Sequence, residues 1–310
     1  EICILGRGSN VLFTNNYNGL VIRININGRD IIYEDDDYVH LEIGAGEDWP
    51  ELVDFVVAKG WGGIENLALV PGTAGAAPIN NLACYGHNLN ESLLSVEAID
   101  ISRKILRIFS VKECRLGYRT SVFKTELAGQ YVIVKISLRL HKKPILNTGY
   151  RSRYESITDE LLKISKAPYT IRDVYRAVVN IRQRKLPEVG KVGTVGSVFK
   201  NPLVTRNEYE KLRATRPGIH CYPKENLIYG TTVGEQEDAD LVKIPAAWLI
   251  AEMGWAGKRL GNCGIWRNQP LNLVNFGNAT PAEYVSFMHY VKEAVYKRYS
   301  ITLEPEVVMI

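Results

Sequence analysis

Apolar residues come along this chain in short bursts, and the spacing inside each burst predicts what it forms. Residues 2–5 read as a short buried strand entering Gly6-Arg7-Gly8-Ser9-Asn10, and residues 11–13 are apolar again. Leu20 to Ile24, Asp30 to Tyr33 and His40 to Ile43 carry strand-like runs, the last ended by Gly44-Ala45-Gly46. At Asp48 the period changes. Asp48 and Glu51 stand at capping-box spacing with Pro50 in the first turn, and Leu52, Phe55 and Val56 follow on a helix that stops at Gly60. Ser92 to Ile99, Lys104 to Phe109 and Tyr131 to Leu140 return to strands, the last alternating near Lys135 to Arg139 so that one face is wet. Residues 158–164 and 171–182 read as helices. In the second, Thr170 and Asp173 cap, while Val174, Ala177, Val178 and Ile181 make the apolar stripe. Lys185-Leu186-Pro187 ends it, and the breaker-rich stretch to Gly193 predicts a domain boundary.

Beyond that boundary, Thr205 to Arg213 reads as a capped helix, Pro217 to Asn226 as irregular chain, and Pro245 to about Met253 as a helix. Leu271 to Asn275 reads as a strand. Thr280 and Glu283 form a capping box with Pro281 at the first helical position, and Val285, Met288, Val291 and Val295 line one face to about Tyr299. Ile301 to Leu303 and Val307 to Ile310 read as strands around Glu304-Pro305-Glu306. Trp61 to Tyr85 follows neither period. It has too many Gly and Pro for a long helix and is too apolar for a linker, which predicts packed turns around a ligand. The whole pattern is that of an α+β protein, and 310 residues suffice for two or three domains.

Composition removes several classes of function. Apolar content of 46% and charged content of 23% are those of an ordinary globular protein. A net charge of +4 is too small and too dispersed for a nucleic-acid partner, although it suits an anionic small molecule. No apolar run reaches about 18 residues, so no membrane insertion is expected, and no secretory leader is visible. Cys3, Cys84, Cys114, Cys221 and Cys263 show no CxxC spacing, and the five histidines show no ligand spacing, so no metal is expected. Reduced cysteines in a cytoplasmic protein are the simplest reading. Position 1 is Glu and the chain opens already strand-like, which predicts a fragment lacking its true start.

The candidate chemistry centres on Gly193-Thr194-Val195-Gly196-Ser197-Val198-Phe199-Lys200-Asn201-Pro202, where a hydroxyl follows a glycine on a fixed turn with a cation and an amide nearby. The same Gly-Ser is equally compatible with loop punctuation. Gly6 to Asn10 fails the dinucleotide fingerprint because position 11 is Val; a phosphate-binding nest and a bare turn both remain open. Pro71-Gly72-Thr73-Ala74-Gly75-Ala76-Ala77-Pro78, followed by Asn80-Asn81, would let a flat ligand or a pyrophosphate approach the backbone. Arg119, among apolar neighbours, is a structural ion pair or a carboxylate clamp, and Glu306 in an apolar run needs a partner. Lys185, Tyr222, Lys243 and Gln269 carry no local signature.

Taken in order, these motifs resemble the UDP-N-acetylenolpyruvoylglucosamine reductase (MurB) family. They run from Gly6-Arg7-Gly8-Ser9-Asn10-Val11-Leu12-Phe13 through Pro71 to Ile79, Tyr85-Gly86, Tyr118-Arg119, Arg182 to Pro187 and Gly196 to Pro202, ending at Leu303-Glu304-Pro305-Glu306-Val307. Residues 141–180 look like the segment carried by the longer form of that family. The resemblance implies an FAD-binding region of two subdomains similar to those of vanillyl-alcohol-type oxidases, plus an α+β substrate-binding domain. It assigns residues 1–68, completed by 303–310, to the first subdomain, 69–187 to the second and 188–302 to the substrate domain. It also implies reduction of UDP-N-acetylglucosamine enolpyruvate to UDP-N-acetylmuramate with NADPH as co-substrate, hydride passing from flavin N5 to C3 and a proton to C2.

By the same resemblance Ser197 is the proton donor, and Arg119 and Glu306 attend the substrate carboxylate. Gly6, Arg7, Gly8, Ser9, Asn10, Val11, Gly72, Thr73, Gly75, Ala76 and Ala77 fall in FAD-binding stretches. Lys185, Asn201, Tyr222, Lys243 and Gln269 fall where the nucleotide-sugar is bound. Three departures stand out: Arg7 replaces a glycine, Ala83-Cys84 replaces Gly-Ala, and the substrate-clamping tyrosine is displaced, leaving Tyr150 as its expected substitute. The chain also starts inside the family's first domain, without its first strand and helix. Two other readings are an FAD-dependent sugar or alcohol oxidase of the same fold and a non-catalytic nucleotide-sugar binding module.

Overall fold

The computed structural model describes residues 1–150, 155–188, 190–223 and 240–310. The chain forms two compact units. The first takes in Glu1–Arg7 and Gly19–Arg182; the second takes in Gly8–Asn18 and the described residues from Gln183 to Ile310.

The first unit is built on a five-stranded antiparallel sheet in the order Arg29–Glu34, Tyr38–Gly44, Tyr131–His141, Leu93–Asp100, Leu106–Ser110. The long central strand sets the register of both neighbours, with Leu138 opposite Leu41 on one side and Ile136 opposite Val96 on the other. Side chains alternate across a strand, so Val39, Leu41 and Ile43 are all fully buried while His40 and Glu42 face outward. Helix Trp49–Ala58 covers that face with Leu52, Val53 and Val56. Each such buried side chain stabilises by about 1.5–3 kcal/mol. The helix starts where expected, because the Asp48 carboxylate accepts from the Glu51 N–H. Helices Ile157–Ile164 and Ile171–Lys185 add Ile157, Leu161, Val174, Val178 and Ile181 to the same core.

The segment Trp61 to Tyr85 is a set of packed turns, with single 3-10 turns at Glu65–Leu67 and Ala74–Ala76. A short parallel pair, Ile2–Leu5 with Leu20–Arg23, completes the unit.

The second unit holds a four-stranded antiparallel sheet, Gly193–Ser197, Asn272–Asn275, Cys263–Ile265, Arg259–Leu260, and a three-stranded one, Leu203–Thr205, Leu241–Lys243, Tyr222–Pro223. Helices Arg206–Thr215, Ala246–Glu252 and Pro281–Tyr299 accompany these sheets. Phe287, Met288 and Val291 of the last share a core with Phe199, Leu249 and Leu273. Val308–Met309 pairs in parallel with Val11–Leu12, which ties the C-terminal strand to residues 8–18.

Local expectations fail in four places. Ile2–Leu5, expected as a buried strand, is a strand with Ile2 exposed and Cys3 to Leu5 only half-buried. Gly193–Ser197, expected as a turn, is a strand. Ile301 to Leu303 is not a strand; the chain there makes a single bridge between Phe199 and Pro305, and a proline has no N–H to extend a ladder. Within the stretch expected to be irregular, Tyr222–Pro223 is a strand, and residues 224–226 lie outside those described. No helix among the described residues is long and apolar enough to cross a membrane.

Candidate functional site

In the first unit the small-residue loop is held by its own backbone. The Gly72 carbonyl accepts from the Trp49 N–H at 3.1 Å, and the N–H groups of Ala74 and Gly75 donate to Glu47 and Ala45, each at 2.9 Å. The N–H groups of Ala76 and Ala77 turn back to the Thr73 carbonyl. Gly72 has φ 145°, a left-handed-side conformation that favours glycine. A Cβ on Gly75 would stand 2.5 Å from the Ala45 Cβ, and one on Gly6 would stand 2.6 Å from Thr73 Oγ1. Both positions are places where the chain passes close to itself. From Gly72 to Pro78 only Ala76 is exposed. The loop therefore offers a preformed surface poor in side chains, which suits a broad planar cofactor.

Arg7 does not adopt positive φ; Gly8, with φ 67°, takes that conformation instead. The Arg7 Nε lies 2.9 Å from Asp48 Oδ2, so its side chain is tied to the carboxylate that caps Trp49–Ala58. In the second unit the turn after Gly8 closes with the Val11 N–H on the Gly8 carbonyl. Among the described residues the N–H groups of Gly8 and Asn10 donate to no backbone carbonyl, the condition a phosphate nest requires.

Six non-glycine residues of the first unit, Leu69, Asn81, Tyr85, Lys104, Arg115 and Arg119, have φ between 43° and 57° among the described residues. Such left-handed residues each cost about 1–2 kcal/mol, and they gather at functional sites. Arg119 Nη2 donates to the Ala83 carbonyl at 3.3 Å. Tyr150 meets the Tyr85 ring edge-on at 5.0 Å, and burial pushes the Tyr85 hydroxyl up from its ordinary pKa. Asn66 Nδ2 donates to the carbonyls of Tyr85 and Asn147. The added volume of Cys84 is taken up by a contact of its Sγ with Arg182 Nη1 at 3.3 Å. Asn66 escapes sequence reasoning, and Arg182 enters it only as the start of the Arg182 to Pro187 motif, because their partners are distant in the chain.

In the second unit Ser197 owes its aim to a bulge. Thr194 stands opposite Val274, and a regular ladder would set Gly196 opposite Asn272; instead Ser197 stands there. One extra residue, with Gly196 at φ 79°, re-aims the side chain that follows. Among the described residues the Ser197 hydroxyl makes no hydrogen bond. The Glu306 N–H donates to the Val198 carbonyl at 2.7 Å and Asn10 Nδ2 donates to the Glu306 carbonyl at 3.2 Å. Glu306 is thus joined through its backbone to Val198, the residue after Ser197, and to Asn10.

A second group forms around the three-stranded sheet. Tyr222 and Leu203 both stand opposite Lys243, which is buried. Tyr222 Oη lies 3.0 Å from His220 Nε2, and burial pushes its pKa up. Asn201 Oδ1 accepts from the Ala246 N–H at 3.0 Å and so caps Ala246–Glu252, which lacks a capping side chain of its own at Pro245. A third group lies at the end of Ile171–Lys185: the Lys185 carbonyl accepts from Trp266 Nε1, and the Gln269 carbonyl accepts from the Asn272 N–H. Sequence order alone pointed to neither His220 nor Trp266.

Comparison with known proteins covers both units. Residues 1–108 match the FAD binding domain family model, and residues 187–310 match that of the UDP-N-acetylenolpyruvoylglucosamine reductase C-terminal domain. The UDP-N-acetylenolpyruvoylglucosamine reductase of Flavobacterium johnsoniae is 38% identical over 304 residues, covering 98% of this chain and 86% of the relative. That of Amoebophilus asiaticus is 38% identical over 303 residues, covering 98% and 84%. The crystal structure of UDP-N-acetylenolpyruvylglucosamine reductase from Thermus caldophilus superimposes with a TM-score of 0.64 at 20% identity, covering 99% of this chain and 85% of that one, and supports the fold. With family models matched in both units and relatives 38% identical along nearly the whole chain, this protein belongs to the UDP-N-acetylenolpyruvoylglucosamine reductase family.

Proposed function

We propose that the chain reduces UDP-N-acetylglucosamine enolpyruvate to UDP-N-acetylmuramate with NADPH as the electron source. The observation that carries this reading is the bulge that aims the Ser197 hydroxyl, together with the pairing of residues 198–200 with 304–306, which brings the Glu306 backbone beside the residue that follows Ser197. Gly6, Arg7, Gly8, Ser9, Asn10, Val11, Gly72, Thr73, Gly75, Ala76 and Ala77 would hold FAD. When bound, the flavin supplies the hydride chemistry.

The protein's own contribution is protonation and charge placement. Reducing the enolpyruvyl double bond requires a proton at C2, and the Ser197 hydroxyl is the group offered. A hydroxyl is a weak acid, so it serves only when positioned tightly against a strongly basic carbon. Arg119 offsets negative charge building on the substrate carboxylate, and Glu306 orients the same end. Lys185 and Lys243, with Tyr222, Asn201 and Gln269, take the nucleotide-sugar, the lysines pairing with the diphosphate. Tyr150 would contribute a contact to the substrate. The matching division of labour is 1–68 with 303–310 and 69–187 for cofactor, and 188–302 for substrate.

The test is a pair of half-reactions under anaerobic conditions. NADPH should bleach the flavin absorbance, and the enolpyruvyl substrate should restore it with one product formed. Ser197→Ala should leave bleaching intact and largely abolish product formation. Unchanged half-reactions in that variant would remove Ser197 as proton donor. Fast reoxidation by oxygen with a sugar or alcohol as reductant would instead favour an oxidase.

A further inference from the structure

We infer that Arg182 is a positioning residue that clasps the two ends of segment 69–85 and thereby keeps the cofactor loop in its binding shape. The inference rests on the reading of Gly72–Ala77 as part of the flavin cradle. Arg182 projects from helix Ile171–Lys185 and is only 9% exposed. Its Nη2 donates to the Leu69 carbonyl at 3.1 Å and its Nη1 to Cys84 Sγ at 3.3 Å. Leu69 opens the segment and Cys84 nearly closes it, with the whole small-residue loop between them. Leu69 and Tyr85, one at each end, are both held at positive φ, 54° and 48°. Strained residues persist where their surroundings over-determine them, and one planar fork reaching both ends is such a constraint.

The guanidinium is not placed for its own comfort. Its Nε is buried without an acceptor, and no carboxylate pairs with it among the described residues. A buried, acid-free guanidinium is costly, and here its two contacts both go to the cradle segment. The Nη1 contact with Cys84 sets the guanidinium beside that end of the segment, where its charge acts on Tyr85 in the sense opposite to burial. Lysine could replace the charge but not the fork.

The test uses the full chain and reads two quantities. The first is amide hydrogen exchange of residues 69–85 in the flavin-free protein; the second is FAD affinity, from quenching of flavin fluorescence. Arg182→Lys should speed exchange in 69–85 at least tenfold and weaken FAD at least tenfold, while UDP binding stays within twofold. Adding Leu69→Gly, which relieves the strain that the clasp holds, should recover part of the lost FAD affinity. Exchange and FAD affinity both within twofold of wild type in Arg182→Lys would overturn the inference, as would Leu69→Gly deepening the loss. Should Arg182→Lys give no cooperative melt, Cys84→Ala opens one arm of the clasp alone, and exchange in 69–85 must then rise at least threefold; no rise overturns the inference. If the wild-type chain binds no FAD, the cofactor reading fails while the exchange measurement still decides the clasp.

Discussion

The loop Gly72–Ala77 and the strand Gly193–Ser197 are both glycine-punctuated, yet they use glycine for opposite ends. In the first, Gly75 lets backbone meet backbone: a Cβ would stand 2.5 Å from the Ala45 Cβ, and the N–H groups of Ala74 to Ala77 are all spent on carbonyls of the chain. In the second, Gly196 has open space around the position of a Cβ, and its value lies in its φ of 79°, which accommodates the bulge that aims Ser197. The loop works by shape and leaves little free chemistry. The strand presents one hydroxyl, that of Ser197, with no hydrogen bond among the described residues. Volume should therefore be what damages the loop, and functional-group chemistry what damages the strand.

The largest expected effect tests that contrast in both directions. Ser197→Ala should cut turnover with the enolpyruvyl substrate by about 10²–10⁴-fold, the usual contribution of a positioned proton donor. Its stability should stay within about 0.5 kcal/mol of wild type. Gly75→Val should do the reverse, lowering stability by about 1–3 kcal/mol through overpacking and emptying the purified protein of flavin colour. Denaturant melts and visible spectra of the two variants measure both halves. A Gly75→Val protein that melts and colours like wild type would mean that the close approach to Ala45 is not what shapes the loop.

A smaller effect sharpens the role of the second unit. Lys243→Met removes a buried cation opposite Tyr222. A hydrogen bond to a charged group contributes about 1.5–3 kcal/mol, so KM for the nucleotide-sugar should rise roughly 10- to 100-fold. Flavin reduction by NADPH should be unaltered. A fall in kcat with KM unchanged would move Lys243 from binding to catalysis. Smaller again is Asp48→Ala, which removes a helix cap and the partner of Arg7 together. The cap is worth about 0.5–2 kcal/mol, read as a shift of the denaturant midpoint.

What could be read from the sequence divides along the same line. Capping boxes at Thr170/Asp173, Thr205/Glu208 and Thr280/Glu283 were legible because each bonds within three residues. The strand runs of the first sheet were legible because burial imposes a two-residue period. The bulge at Val195–Gly196 was not, since it exists only against Asn272–Asn275 and nothing local requires it. The clasp was hidden for a similar reason: Arg182 and Leu69 are 113 residues apart, and Asn66 and Asn147 are 81 apart. Ser197 stands out in the sequence as part of a motif and Glu306 as an acid in an apolar run, but the pairing of Val198 with Glu306 is a fact of tertiary structure. The departure at Arg7 resolved itself only when Asp48 was seen beside it.

The smallest effect concerns where the two units cease to differ. Glu113 and Asp173 in the first, and Glu208 and Glu283 in the second, all sit in capping boxes and accept from their own cap residues. Each has its pKa held below the ordinary value, for Glu283 chiefly by the N–H and then the hydroxyl of Thr280. A carboxylate whose folded pKa lies below its unfolded value of about 4.3 stabilises fully above that value. The contribution is lost as pH falls through the folded pKa. Acid should therefore loosen helices of both units over the same narrow range, in contrast to the unit-specific effects above. Glu283→Gln keeps an acceptor but cannot titrate. The gap in melting temperature between wild type and this variant should be greatest at pH 6 to 7, narrow below about pH 4.3, and vanish once Glu283 is protonated in both states. A gap that holds constant down to pH 3 would assign the Glu283 contribution to packing of the side chain and not to its charge.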